Sequence, residues 1–300
     1  MSRLPGVSSH SRAVGIAAIA GVAVTILGGC TTNSGTTASG GHHAARQNQG
    51  SLNAAKAVAL ASKKTQRITS LTMTETVTMS GLPVSAAGTG LPAGSHVHMV
   101  MHAKERLKPK LVGSVSMSIS AAGRATSIDE IITSSAMYLK APGVMPSQSG
   151  KPWAKISLSS LPNAASLRQL FEQAQNGPAG QMGPQAMTKL LTTAKNVHVV
   201  GHPVVDGVPT TEYSGDLTLS KIISLMQPAA RGMLEPQMAG LKVTSPLRIW
   251  VDGNHYARKV QLRFSFRHMA MSVQVHVTSV NQPVTIVPPP ASQVAPISGQ

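Results

Sequence analysis

The chain has 300 residues and is strongly basic, with 26 Lys and Arg against 10 Asp and Glu, a formal net charge of +16. It carries a single cysteine, which excludes a disulfide framework and leaves the core to apolar burial. Only 3% of the residues are aromatic and the charges are spread rather than blocked, which argues against a nucleic-acid partner.

At the N-terminus, Met1–Arg12 is polar and holds Arg3 and Arg12 without an acidic residue. Val14–Leu27 is uncharged and apolar, shorter than the about 20 residues a membrane span needs. That order reads as a secretory signal peptide over residues 1–29. Leu27-Gly28-Gly29-Cys30 resembles the bacterial lipobox, although Gly28 stands where Ala, Ser or Thr is more usual. The resemblance implies lipidation of Cys30, cleavage before it, and a mature chain held at the outer face of the cell membrane. Export also removes the protein from nucleic acid and leaves two readings of its positive charge: attraction to anionic envelope polymers, or an aid to solubility alone. Residues 30–50 are rich in Ser, Thr and Gly and read as a flexible tether, spanning about 25 Å.

Leu52–Lys64 has apolar residues at helical spacing. Alternating strands follow. Leu71, Met73, Val77 and Met79 share one face, interrupted by Glu75; Val97, Met99 and Met101 oppose His96, His98 and His102. In the next strand Leu111, Val115, Met117 and Ile119 oppose Ser114, Ser116 and Ser118, and Ala122-Gly123 makes a turn into Thr126–Ile132. Short strands are expected at Met137–Lys140 and Trp153–Ile156, then helices at Leu161–Asn176 and from Pro184 to Ala194. Asp206-Gly207 is a hairpin signal between Val197–Pro203 and Thr210–Leu217. A helix over Leu219–Leu241 precedes a C-terminal meander with Ile249, Leu262 and Phe264 on its apolar side and a turn at Asp252-Gly253. Residues 284–300, rich in proline, read as an extended, partly disordered tail. Two groups of strands separated by helices make an α+β domain with an antiparallel sheet, one face solvated.

No Gly-x-Ser-x-Gly elbow, phosphate-cradling glycine loop or convergent triad is present, so enzymatic activity is not expected. His96 and His98, about 7 Å apart on one strand face, are close enough to pinch an ion, with His102 too far to join. Without a nearby carboxylate or cysteine they read as part of a solvated face, and no metal or cofactor is assigned. The methionines on the apolar faces read either as ordinary core or as a pliable wall with almost no buried polarity.

The layout resembles the actinobacterial LppX/LprG-type lipoproteins, relatives in fold of LolA and LolB. The resemblance covers Ser51–Pro283. It rests on the lipobox and tether, the first helix and alternating strands, Met137-Tyr138-Leu139-Lys140, Gly150-Lys151-Pro152-Trp153-Ala154-Lys155, Asp206-Gly207-Val208-Pro209-Thr210, Tyr213-Ser214-Gly215 and Ile249-Trp250-Val251-Asp252. It implies a curved antiparallel half-barrel over residues 51–283, covered by helices on its concave face and enclosing a hydrophobic cavity for the acyl chains of a lipid or acylated glycolipid. It brings no catalytic set. The candidate cavity wall is Leu71, Met73, Val77, Met79, Val97, Met99, Met101, Val115, Met117, Ile119, Ile249, Leu262 and Phe264. Two readings of function stand: a lipid binder that carries or shields acyl chains in the envelope, and a non-enzymatic sensor or scaffold without a lipid ligand.

Overall fold

The computed structural model describes residues 44–81, 94–110, 112–142, 150–157, 191–218, 220–221, 243–266 and 268–296. The leader, Cys30, most of the tether and nearly all of the three helices expected after Trp153 lie outside them. The described chain is helix α1 (Ala44–Thr65) followed by strands β1 (Ser70–Ser80), β2 (Val97–Arg106), β3 (Val112–Ala121), β4 (Arg124–Ile132), β5 (Ala136–Lys140), β6 (Trp153–Ser157), β7 (Lys195–Gly201), β8 (Val204–Val205), β9 (Val208–Thr218), β10 (Thr244–Asp252), β11 (Ala257–Phe266), β12 (Met269–Val280) and β13 (Val294–Pro296).

The strands form one 13-stranded sheet in the order β13-β6-β5-β4-β3-β2-β1-β12-β11-β10-β9-β7, with β8 paired to β9 off this path. Two antiparallel meanders meet where β1 pairs β12, so the first and last long strands lie side by side in mid-sheet. The turns are set by local chemistry. Ala122 (φ 50°) and Gly123 (φ 75°), like Asp206 (φ 49°) and Gly207 (φ 78°), both have positive φ at the two central positions of a hairpin turn. That geometry matches the twist of the flanking strands. At the β10–β11 turn the buried Asp252 carboxylate accepts from the backbone N–H of Asn254 and Tyr256, each at 2.9 Å, and pairs with Arg258 Nε at 2.6 Å.

Helix α1 begins at Ala44, inside the stretch read as tether and before the expected Leu52. Its last turn carries Lys63 and Lys64, where cations offset the negative end of the helix dipole. Ala54, Val58 and Ala61 pack it onto the sheet in one core with Leu71, Ile249, Val260 and Val275, and its contacts run to β7 and β11. The other helices expected on this face fall almost wholly outside the described residues.

The proline-rich segment is not a loose tail over its described part. Asn281 (φ 57°) marks the exit from β12: its side-chain carbonyl accepts from Thr69 N at 2.8 Å, and Ser70 Oγ donates to Gln282 O at 2.6 Å. The chain then runs extended to a 3-10 turn at Ala291–Gln293, and β13 adds parallel to β6, with Val294 opposite Trp153 and Ala295 buried against Ala154. A partner strand thus covers an edge that would otherwise expose unpaired backbone groups.

Candidate functional site

Register places every candidate wall residue of the sequence reading on one face. Because side chains alternate along a strand, residues paired across strands stand side by side on the same surface. One such row runs Ile119–Met99–Val77–Val273–Leu262–Leu247 across β3, β2, β1, β12, β11 and β10. The next runs Met117–Met101–Glu75–Val275–Val260–Ile249, and a third Val115–Ala103–Met73–Val277. Towards one end stand Val97, Met79, Met271 and Phe264; towards the other, Glu105 and Leu71.

Coverage of this apolar face is uneven. The half from β7 to β12 forms the core beneath α1, which also takes in Leu71, Met73, Ala103 and Val115 at one end of β1, β2 and β3. The rest of β1 to β5 holds a second, smaller cluster, Met99, Met117, Ile128 and Ala141, flanked by Val77, Ile119 and Leu139, which are only partly buried. Met79, Met101 and Met271 are likewise half-buried. A cleft of about 440 Å³ lies where β1 and β11 end and β2 and β12 begin. It is lined by Met79, Val97, Phe264 and Met271 together with Thr78, Ser80, His96, His98, Arg263, Ser265, Ala270 and Ser272.

The opposite face is polar, as the alternation requires. His98–Thr78–Ser272–Arg263 and His102–Thr74–His276–Lys259 form rows across the same four strands. His102 Nδ1 lies 3.0 Å from Thr74 Oγ1, while His96 and His98 are exposed beside the cleft. Lys259 stacks over Trp250, 4.8 Å from the ring centre. Among the described residues, no group of three or more His, Cys, Asp or Glu side chains is placed to hold a metal ion.

The apolar face is less purely apolar than the sequence suggests. Glu75 stands on it as expected, but so do Glu105 and Glu130, which were not assigned to it. Glu105 is 2% exposed and Glu130 9%. Glu105 pairs with Leu71 on β1 and Gly113 on β3, and Glu130 with Val115 and Leu139. Burial among such neighbours disfavours the charged form and pushes all three carboxyls up to about 7; the charge of Glu105 raises Glu130 further. Signals for Glu105 were present in the sequence: it continues the odd-numbered inward series Val97, Met99, Met101, Ala103.

Fold and site together define an open, mostly antiparallel sheet with one apolar and one polar face, carrying at least one helix on the apolar side. Among solved structures the chain is similar to LprF from Mycobacterium bovis, at 15% identity over 80% of this chain and 98% of that one, with a TM-score of 0.45. It is also similar to the lipoprotein LppX from Mycobacterium tuberculosis (16% identity, 79% and 99% covered, TM-score 0.41) and to a LolA superfamily protein from Nitrosomonas europaea (10%, 77% and 94%, TM-score 0.23). LprF and LppX are of the type that the sequence resembles. No protein-family profile and no curated protein matches the chain.

Proposed function

We propose that this protein binds the acyl chains of a lipid or acylated glycolipid on the apolar face of its sheet and carries or shields them in the cell envelope, tethered to the membrane through a lipidated Cys30. The observation that carries the reading is a set of side chains that face the apolar side of β1, β2, β3 and β12 but are only half-buried: Val77, Met79, Met101, Ile119 and Met271. Each methylene that a guest chain buries there contributes about 0.8 kcal/mol before binding costs. Unbranched, polarizable methionines adapt to chains of different shape. Arg263, His96 and His98 at the cleft place positive or protonatable groups where an anionic headgroup would emerge. Native mass spectrometry of the mature protein should show adducts that organic extraction removes and that Met101→Trp, which fills the wall, reduces. Protein that stays lipid-free when offered acyl lipids overturns the reading. Mass analysis of the N-terminal peptide tests the anchor separately: a diacylglyceryl thioether on Cys30, lost in Cys30→Ser.

A further inference from the structure

The cleft at the strand ends is lined by one complete polar row, His98–Thr78–Ser272–Arg263, running across β2, β1, β12 and β11. An imidazole ends this row on one side and a guanidinium on the other, with two hydroxyls between them. Thr78 and Ser272 are direct cross-strand partners, so their Cβ atoms stand about 5 Å apart and one group seated above them meets both hydroxyls. His98 and Arg263 each stand one strand further out, about 5 Å away at the usual spacing, on side chains long enough to lean inward. The next row towards the strand ends adds the hydroxyls of Ser80 and Ser265, with the exposed His96 beside them.

These donors are not spent within the protein. Ser120 and Ser245 donate only to the backbone carbonyls of His98 and Arg263. Among the described residues, the side chains of His98, Thr78, Ser272 and Arg263 have no hydrogen-bond or ion-pair partner. The acids of the polar face are engaged elsewhere: Asp129 with Ser116 and Lys140, Asp206 with His276, Glu212 with Arg248, and Asp216 with Asn196. No carboxylate lines the cleft.

We propose that His98, Thr78, Ser272 and Arg263 form a cradle for a phosphate group, so that the preferred ligand is a phosphate-bearing acyl lipid. In its lipid half the inference rests on the lipid-binding reading above. The row stands two residues, about 7 Å, from the end of β1 at Ser80, so a headgroup passes over the strand ends to it while acyl chains stay on the apolar face. Donors arriving from four strands suit a tetrahedral phosphate, which offers acceptor oxygens in several directions and a charge for the guanidinium. A carboxylate offers two oxygens in one plane. A neutral ester or alcohol leaves the guanidinium without a counter-charge.

The test measures binding of dioctanoyl phosphatidic acid, dioctanoylglycerol and glycerol 3-phosphate to the wild-type mature protein and to Arg263→Gln, Ser272→Ala and Arg248→Gln, each checked for folding by circular dichroism. Wild type is expected to bind the phosphatidic acid about tenfold or more tightly than the diacylglycerol. Arg263→Gln should bring the two lipids close in affinity by weakening the first alone, with Ser272→Ala intermediate. Arg248→Gln removes the same charge from the same face outside the cleft and should leave the preference intact. Equal affinities in wild type, a preference that survives Arg263→Gln, or an equal loss in Arg248→Gln overturns the cradle while leaving acyl binding intact. Glycerol 3-phosphate that binds as tightly as the phosphatidic acid, and depends on Arg263, assigns the cradle to free phosphate esters and overturns its lipid half. If neither lipid binds, the lipid-binding reading falls, and the response of glycerol 3-phosphate to Arg263→Gln decides the cradle by itself.

Discussion

Gly215 on β9 faces Leu191 at a separation that leaves no room for a side chain: a Cβ on the glycine would stand 3.1 Å from Leu191 Cδ1, 2.9 Å from Ala194 Cβ and 3.1 Å from Val197 Cγ2. Leu191 is fully buried, and Val197 belongs to the same core. The missing side chain therefore lets the segment entering β7 lie flat on the apolar face. Gly215→Val should destabilise the protein by about 1–3 kcal/mol through overpacking, because Ala194 has no flexible end with which to yield. Chemical denaturation checks this, with an unchanged denaturant slope expected alongside the lowered midpoint.

The carboxyls of the apolar face make stability depend on pH in an unusual direction. Glu75, Glu105 and Glu130 are raised from 4.5 to about 7, so between those values the folded state holds protons that the unfolded chain has released. Stability then falls as pH rises through that window, by on the order of a few kcal/mol, and levels off above it. Below the window the groups are neutral in both states and contribute no difference. Among the described strands, Leu71, Gly113 and Ile132 share the row of Glu105, Glu130 stands one register step over on β4, and the flanking Lys104 and Arg106 alternate onto the opposite face. Thermal unfolding across this range should show a falling midpoint in wild type and a shallower fall in Glu105→Gln.

Asp252 and Arg258 hold the β10–β11 hairpin through the opposite logic, a buried charge with its complement in place. The carboxylate has three donors, two backbone N–H groups and the Arg258 Nε, and its side chain is 2% exposed against 17% for Arg258. Asp252→Ala should cost about 2 kcal/mol or more, since it strands a partly buried guanidinium as well as two turn amides. Arg258→Lys, which keeps the charge but not the planar fork, should recover only part of the loss seen in Arg258→Ala. Equilibrium unfolding of the three variants measures the order.

Much of the sheet was legible because its faces differ so sharply. Thr72, Thr74, Thr76 and Thr78 against Leu71, Met73, Val77 and Met79 leave little choice of strand or orientation, and Asp206-Gly207 fixes its own turn. The carboxyl pair was harder to see. Glu105 continues the inward series of β2 but stands between Lys104 and Arg106, and in Asp129-Glu130 alternation alone leaves open which acid faces inward. Only the pairing of Glu105 with Gly113 reveals the space that burial needs. The meeting of β1 and β12 is equally invisible locally, because Met73 and Val277 are far apart in the chain and nothing in either strand names its partner. Strand β13 escaped for another reason. Its Val294–Pro296 is too short for periodicity and includes a proline, a residue that fits only where a strand needs no further donor.

That short strand gives the last prediction. Lys151 Nζ donates to Val294 O at 3.1 Å, Ala295 is 3% exposed, and β13 covers the outer edge of β6. A chain ending at Pro283 keeps the Asn281 and Gln282 contacts that close β12 against β1, so the central sheet should fold. Its β6, however, becomes a bare edge paired on one side only, with open backbone groups on the other. Hydrogen exchange should therefore speed up at Trp153–Ser157 while β1 and β12 stay protected, with a stability loss of about 1–2 kcal/mol and a greater tendency to self-associate. Unchanged exchange across β6 would mean that the proline-rich segment contributes no edge protection, and that the edge is guarded by other parts of the chain.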